Sequence, residues 1–152
     1  MIFAPNFVAS LVAIQQEWAD NAMVHCACWD LPERIEERDY DREDFPMLSA
    51  AGARRETSGT GACQFARRAF FHEVRGYDEG YQHWGAEDVD MSSRATRYGL
   101  EIVWASARTQ MLHQWHPTMK HERSWNRRLN NWRFKLTKTW VVKNRSSWGG
   151  RP

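Results

Sequence analysis

The chain has 152 residues, a formal net charge of +2 and 42% apolar residues, which suits one domain with its own core and excludes a disordered chain. Three cysteines, Cys26, Cys28 and Cys63, are odd in number and irregularly spaced, which argues against a secreted disulfide scaffold and against a four-ligand zinc site. No apolar run approaches the length of a transmembrane helix, and the first residues lack a signal-peptide pattern, so a cytoplasmic location is the expectation.

Residues 1–5 read as the end of a strand or its exit loop, and Pro5 suits the start of a helix over Asn6–Ala19. Val8, Leu11, Val12, Gln15 and Trp18 fall on or near one stripe of that helix. Met23–Trp29 reads as one strand that ends at Asp30-Leu31-Pro32. Residues 30–44 carry eight acidic and three basic side chains, the composition of a solvated loop or short exposed helix. Asp39 and Asp41 have the D-x-D spacing that can hold a divalent cation. They sit in a charged run with no apolar strand before it, so a solvated pair is the reading. Residues 46–61 read as loop and 61–65 as a short strand. Ala66–Arg75 reads as a helix with Ala69, Phe70 and Val74 inward and Gly76 as its terminator.

Gly76–Asp90 is the densest stretch, combining three glycines, several aromatics and five carboxylates. It reads as a tight loop that runs into a helix over Glu87–Tyr98, stopped by Gly99. Glu87 and Asp88 then lie at the helix start, where the exposed N–H groups favour negative charge. Ordinary capping also accounts for such a pair. With Trp84 just ahead, the stretch offers a ring for a sugar's apolar face and carboxylates for its hydroxyls. Strands follow at Leu100–Ala105 and Thr109–His113, and His113 and His116 are candidate metal ligands. Residues 118–152 hold ten basic side chains and one acidic one. Trp125, Leu129, Trp132, Leu136 and Trp140 recur at helical spacing there, and the stripe suits packing on the domain before membrane or nucleic-acid docking. The final S-S-W-G-G-R-P reads as a loose tail.

The run G-Y-D-E-G-Y-Q-H-W-G-A-E-D-V-D-M-S-S-R, followed by G-L-E-I-V-W-A and M-L-H-Q-W-H-P, resembles the acceptor-side half of nucleotide-sugar glycosyltransferases of the GT-A fold, the broad family two above all. Its W-G-x-E-D portion is similar to the β-1,4-galactosyltransferases and to the galactosyltransferase modules of chondroitin-type polymerases. The resemblance covers most of residues 1–140. It implies an α/β fold, a partial GT-A domain with a Rossmann-like mixed sheet over 1–117, and a basic, Trp-rich helical extension over 118–152 that packs on it.

The resemblance also implies residue roles. Asp88 matches the general base of inverting members, Glu87 a neighbour that holds acceptor hydroxyls, and Trp84 the aromatic beside the sugars. His113 matches a histidine that joins a Mn²⁺ or Mg²⁺ site, with His116 as its rival. Tyr81 and Trp115 are further candidates for the sugar groove. Met111 is not carried over, because its spacing to His113 differs from the galactosyltransferases.

The implied function is transfer of a hexose or N-acetylhexosamine from a nucleoside diphosphate sugar, such as a UDP-sugar, to a glycan, as in polysaccharide biosynthesis. In such enzymes an upstream half ending in D-x-D holds the nucleotide and metal, and Met1 falls just after the equivalent of that motif. The expectation is weak metal binding and weak or no activity for residues 1–152 alone, unless a partner polypeptide or self-association completes the domain. Peripheral contact with the inner membrane face fits the basic C-terminal segment. The alternatives are a carbohydrate-binding or assembly module without turnover, and a basic nucleic-acid- or membrane-binding protein.

Overall fold

A computed structural model describes residues 1–36, 38–55, 61–82, 85–117 and 123–149, apart from the side chains of Arg123 and Ser124. The chain is mixed α/β, and both sheets contain parallel and antiparallel pairs, compatible with a partial glycosyltransferase domain.

Strand β2 (Ala22–His25) is buried along its whole length. It pairs in parallel with β6 (Glu101–Trp104) and antiparallel with β5 (Gln64–Phe65). Alternation along β2 sends Ala22 and Val24 to one face and Met23 to the other, and both faces are covered. Helix α1 (Phe7–Glu17) brings Phe7, Leu11 and Ile14 against Ala22, Val24 and Cys26. Helices α3 (Arg68–Glu73) and α4 (Glu87–Tyr98) cover Met23 with Phe70, Met91 and Ala95. A second sheet has the order β1 (Ile2–Phe3), β7 (Met111–His113), β3 (Cys28–Asp30), β4 (Ala53–Arg54). Leu112 of this sheet packs with Leu48 of α2 (Phe45–Ala51). Helix α5 (Arg123–Thr137) follows.

Several elements differ from the sequence-based expectation. The apolar run 23–29 is two strands, broken at Cys26–Ala27, and the chain passes there from one sheet to the other. Buried Cys26 turns its thiol toward the carbonyl of Thr109 at 3.8 Å. Residues 45–51 are helical where a loop was expected, because Pro46 sits in the first turn, where its missing N–H costs nothing. Leu11 and Gln15 of α1 are buried as the periodicity suggests, but Val8 and Val12 are exposed. Ala69 is also exposed, whereas Phe70 and Val74 are fully buried.

Asp41 acts as a turn former. Its Oδ1 accepts the N–H groups of Glu43 (2.9 Å) and Asp44 (3.2 Å), the local side-chain-to-backbone pairing that aspartate favours. Asp39 and Asp41 line an open cleft of about 820 Å³ with Phe3, Arg38, Tyr40 and Gln114, and none of the expected site residues lines it.

Candidate active site

The loop from Val74 to Gln82 is held by the C-terminal segment and by the arginine six residues beyond Asp88. Arg94 is fully buried and donates to the carbonyls of Gly76 (2.8 Å), Val141 (2.7 Å) and Val74. Asn144 donates to the carbonyls of Arg75 and Tyr77 and accepts the N–H of Glu79 at 2.9 Å. Arg133 on α5 grips buried Asp78 with two bonds, at 2.7 and 2.9 Å, the forked geometry that suits a carboxylate. That pairing holds the Asp78 carboxyl below its usual range against the opposing effect of burial.

Two glycines permit this approach. A side chain at Gly80 would meet the Arg133 guanidinium at 2.1 Å, and one at Gly76, where φ is +65°, would meet the Trp148 ring at 2.7 Å. Trp148 lies edge-on to His72, with ring centres 5.9 Å apart, so residues up to 149 are tied down where a loose tail was expected.

The loop delivers the start of α4. Ala86 has φ of +74°, an unusual conformation for a residue with a Cβ, immediately before Glu87 and Asp88. Both acids are half-buried in the first turn. The Asp88 main-chain carbonyl accepts Gln64 Nε2 (2.7 Å) and Ser92 Oγ (2.9 Å). Gln64 in turn accepts the Tyr77 hydroxyl at 2.5 Å. One amide therefore fixes the helix start, the outer loop and β5 to each other. Burial, with the Asp88 and Glu87 charges, pushes the Tyr77 phenol up, so it remains a donor.

Glu87 Oε2 is buried and has no hydrogen-bond partner among the described residues. His25 at the end of β2 is also buried, with neither ring nitrogen bonded among the described residues. Burial lowers its pKa below 6.5 against the opposing field of Asp88, which keeps the ring neutral at neutral pH. Gln64 and His25 escape a sequence reading because they lie 24 and 63 residues from Asp88 and carry no local pattern, and the bond from Tyr77 of the motif to Gln64 is tertiary.

Asp88 rests against Gly61, where an added Cβ would lie 2.3 Å from Asp88 Oδ2. Gly61→Ala is therefore expected to displace the carboxylate while leaving the exposed turn intact. Displacement by about 1 Å costs on the order of 100-fold where that group takes part in chemistry. Turnover compared with the melting temperature checks this. Equal activity in the variant would show that the position of Asp88 is not critical.

The other expected residues lie elsewhere. Trp84 falls outside the described residues. Tyr81 faces the ionic groups beneath the loop, with Arg133 Cζ 5.8 Å and Lys143 Nζ 6.0 Å from its ring centre. Burial and the nearby Asp90 and Asp78 charges push its phenol well up. Trp115 is exposed.

His113 and His116 belong to the second sheet's end, with ring centres 5.1 Å apart. His113 Nδ1 is 3.3 Å from Asp30 Oδ1. Arg55 already pairs with both oxygens of Asp30 and holds that carboxyl down. Burial, then the Arg55 charge, lowers the His113 pKa. Among the described residues no group of three or more His, Cys, Asp or Glu is placed to hold a metal ion. With a guanidinium occupying Asp30, the two histidines do not by themselves form a divalent-cation cage.

Residues 47–117 match a family model described as the N-terminal domain of galactosyltransferase. The match takes in α2, the loop, α4, β6, β7 and both histidines. No curated protein matches the chain, and no solved structure does. The segment is a galactosyltransferase-like glycosyltransferase domain, and its function is of the glycosyltransferase type. That type uses, in general, a nucleotide-sugar donor and a glycan acceptor.

Proposed function

We propose that this domain supplies the acceptor side of an inverting glycosyltransferase, with Asp88 as the general base. The carrying observation is the paired start of α4, where Asp88 adjoins Glu87, whose buried Oε2 lacks a hydrogen-bond partner among the described residues. A buried carboxylate oxygen without a donor is costly, and a sugar hydroxyl supplies that donor. Glu87 then orients one hydroxyl while Asp88 takes the proton of its neighbour. The hydroxyl oxygen forms its bond to the anomeric carbon as the bond from that carbon to the diphosphate oxygen breaks. The nucleoside diphosphate departs with the electron pair, and one direct displacement inverts the anomeric centre.

The donor is read as a UDP-hexose or UDP-N-acetylhexosamine, with Trp84 and Trp115 at the sugars. Residues 118–152 are read as an extension that holds the acceptor loop in shape.

The test incubates the full-length polypeptide with UDP-sugars, Mn²⁺ or Mg²⁺ and oligosaccharide acceptors, and follows the product by NMR. Transfer with inverted anomeric configuration is expected. Retained configuration sinks the single-base mechanism. Glycan binding without turnover of any donor would favour a carbohydrate-binding module.

A further inference from the structure

Helix α5 turns its apolar stripe away from the protein. Its docked side is polar. Asn130 exchanges hydrogen bonds with the main chain of Gln82, Arg133 grips Asp78, and Thr137 Oγ1 accepts the Lys143 ammonium. A neighbouring side, centred about 100° round the helix, carries Trp125, Leu129, Trp132 and Leu136, which are 66%, 49%, 64% and 58% exposed. At 3.6 residues per turn these four fall within an arc of about 60°. Trp140, just beyond the helix, is 57% exposed. Arg128 and Lys135 border the arc, and both are exposed. Residues 123–149 contain no aspartate or glutamate. Among the described residues no helix is long and apolar enough to cross a membrane.

We propose that α5 is an interfacial anchor that lays its Trp–Leu stripe into an anionic lipid surface. The apolar side chains enter the boundary between headgroups and acyl chains, and Arg128 and Lys135 meet the lipid phosphates. Two other occupants fit less well. In a twofold contact with a second copy, the same stripe would face itself, and its bordering cations would meet cations with no acid on the segment to pair them. Single-stranded nucleic acid uses aromatic rings for stacking, yet Leu129 and Leu136 alternate with the tryptophans and offer nothing to stack on. Docking by this face uses none of Asn130, Arg133 and Thr137, whose side chains hold α5 to the protein. The inference rests on the helix alone and is independent of the sugar-transfer reading.

The test is co-sedimentation of the full chain with phosphatidylglycerol/phosphatidylcholine vesicles and with pure phosphatidylcholine vesicles, read together with tryptophan fluorescence. Binding to the anionic vesicles, a blue-shifted emission and loss of binding on raising NaCl are expected. Trp125→Gln with Trp132→Gln should abolish binding with an unchanged circular dichroism spectrum. Arg128→Gln and Lys135→Gln provide an independent variant, each weakening binding roughly fivefold. The proposal is overturned by equal binding to neutral vesicles, by no binding to either kind, or by binding that survives the tryptophan changes. It is also overturned by a single-stranded oligonucleotide that binds more tightly than the vesicles, or by a dimer in light scattering that Trp132→Gln dissociates.

Discussion

Asp88→Asn is expected to lower turnover by about 10²- to 10⁴-fold, the usual contribution of a positioned general base, while the fold survives. The structure separates the two effects. Asn keeps the shape that fits against Gly61 and keeps an Oδ1 to accept the Val89 N–H, as Asp88 does at 3.1 Å. The bonds from Gln64 and Ser92 go to the main-chain carbonyl and are indifferent to the side chain. The negative charge lost from the helix start is worth about 0.3–1 kcal/mol. Catalysis loses its proton acceptor. Steady-state kinetics with the full-length polypeptide should show the fall in kcat, with the acceptor KM little changed. Glu87→Gln is the contrasting variant, because a residue that orients the acceptor acts mainly through KM. Undiminished turnover in Asp88→Asn would reduce Asp88 to a helix-start carboxylate.

The legible parts of the chain are those where local pattern and tertiary packing agree. The bounds of α4 were readable because Glu87 and Asp88 favour a helix start and Gly99, at φ +105°, stops the helix in the left-handed conformation that glycine adopts without penalty. The break at Cys26–Ala27 was not, since the residues next to it on both sides, His25 and Cys28, are buried in strands and nothing local marks a change of sheet. The helix α5 shows the sharper limit. Periodicity establishes that Trp125, Leu129, Trp132 and Leu136 share a side, but not which way that side points. Hydropathy favours inward, and the decision went to Asn130 and Arg133, whose partners lie in the Val74–Gln82 loop, and to Thr137, which meets Lys143. The same holds for the site itself. The Glu87-Asp88 pair was visible as a motif with a familiar neighbourhood, whereas Gln64 on β5 and His25 on β2 come near it only through the sheet. Arg94 was visible as part of the motif, yet its work of tying two loop carbonyls to that of Val141, far along the chain, was not.

The Val74–Gln82 loop depends on charges buried beneath it, and Lys143→Met should expose that dependence. The Lys143 and Asp90 side chains are both 1% exposed and paired, and Arg94, fully buried, is 3.8 Å from the other Asp90 oxygen. Removing one partner of a buried pair leaves an uncompensated charge, at a cost of about 3–5 kcal/mol. At about 2–4 °C per kcal/mol for a chain of this size, the melting temperature should fall by roughly 6–20 °C. Burial raises the Asp90 carboxyl above 3.8 even though Lys143 pulls it down. A raised acid is fully tolerated below its unfolded value and becomes a liability as pH rises through its folded one. Without Lys143 that liability grows, so the gap between variant and wild type should narrow as pH is lowered toward 4. Replacing both residues, Lys143→Met with Asp90→Asn, should restore much of the loss, since the stranded charge is gone. Because Asp90 is two residues from Asp88 on the same helical turn, the single variant should also lose turnover below its melting temperature. Thermal melts of the two variants across pH 4–8 test the argument. A Lys143→Met protein that melts within a degree or two of wild type at neutral pH would mean that Arg94 alone neutralises Asp90, and that the loop is held by Asn144 and Arg133 without the ammonium.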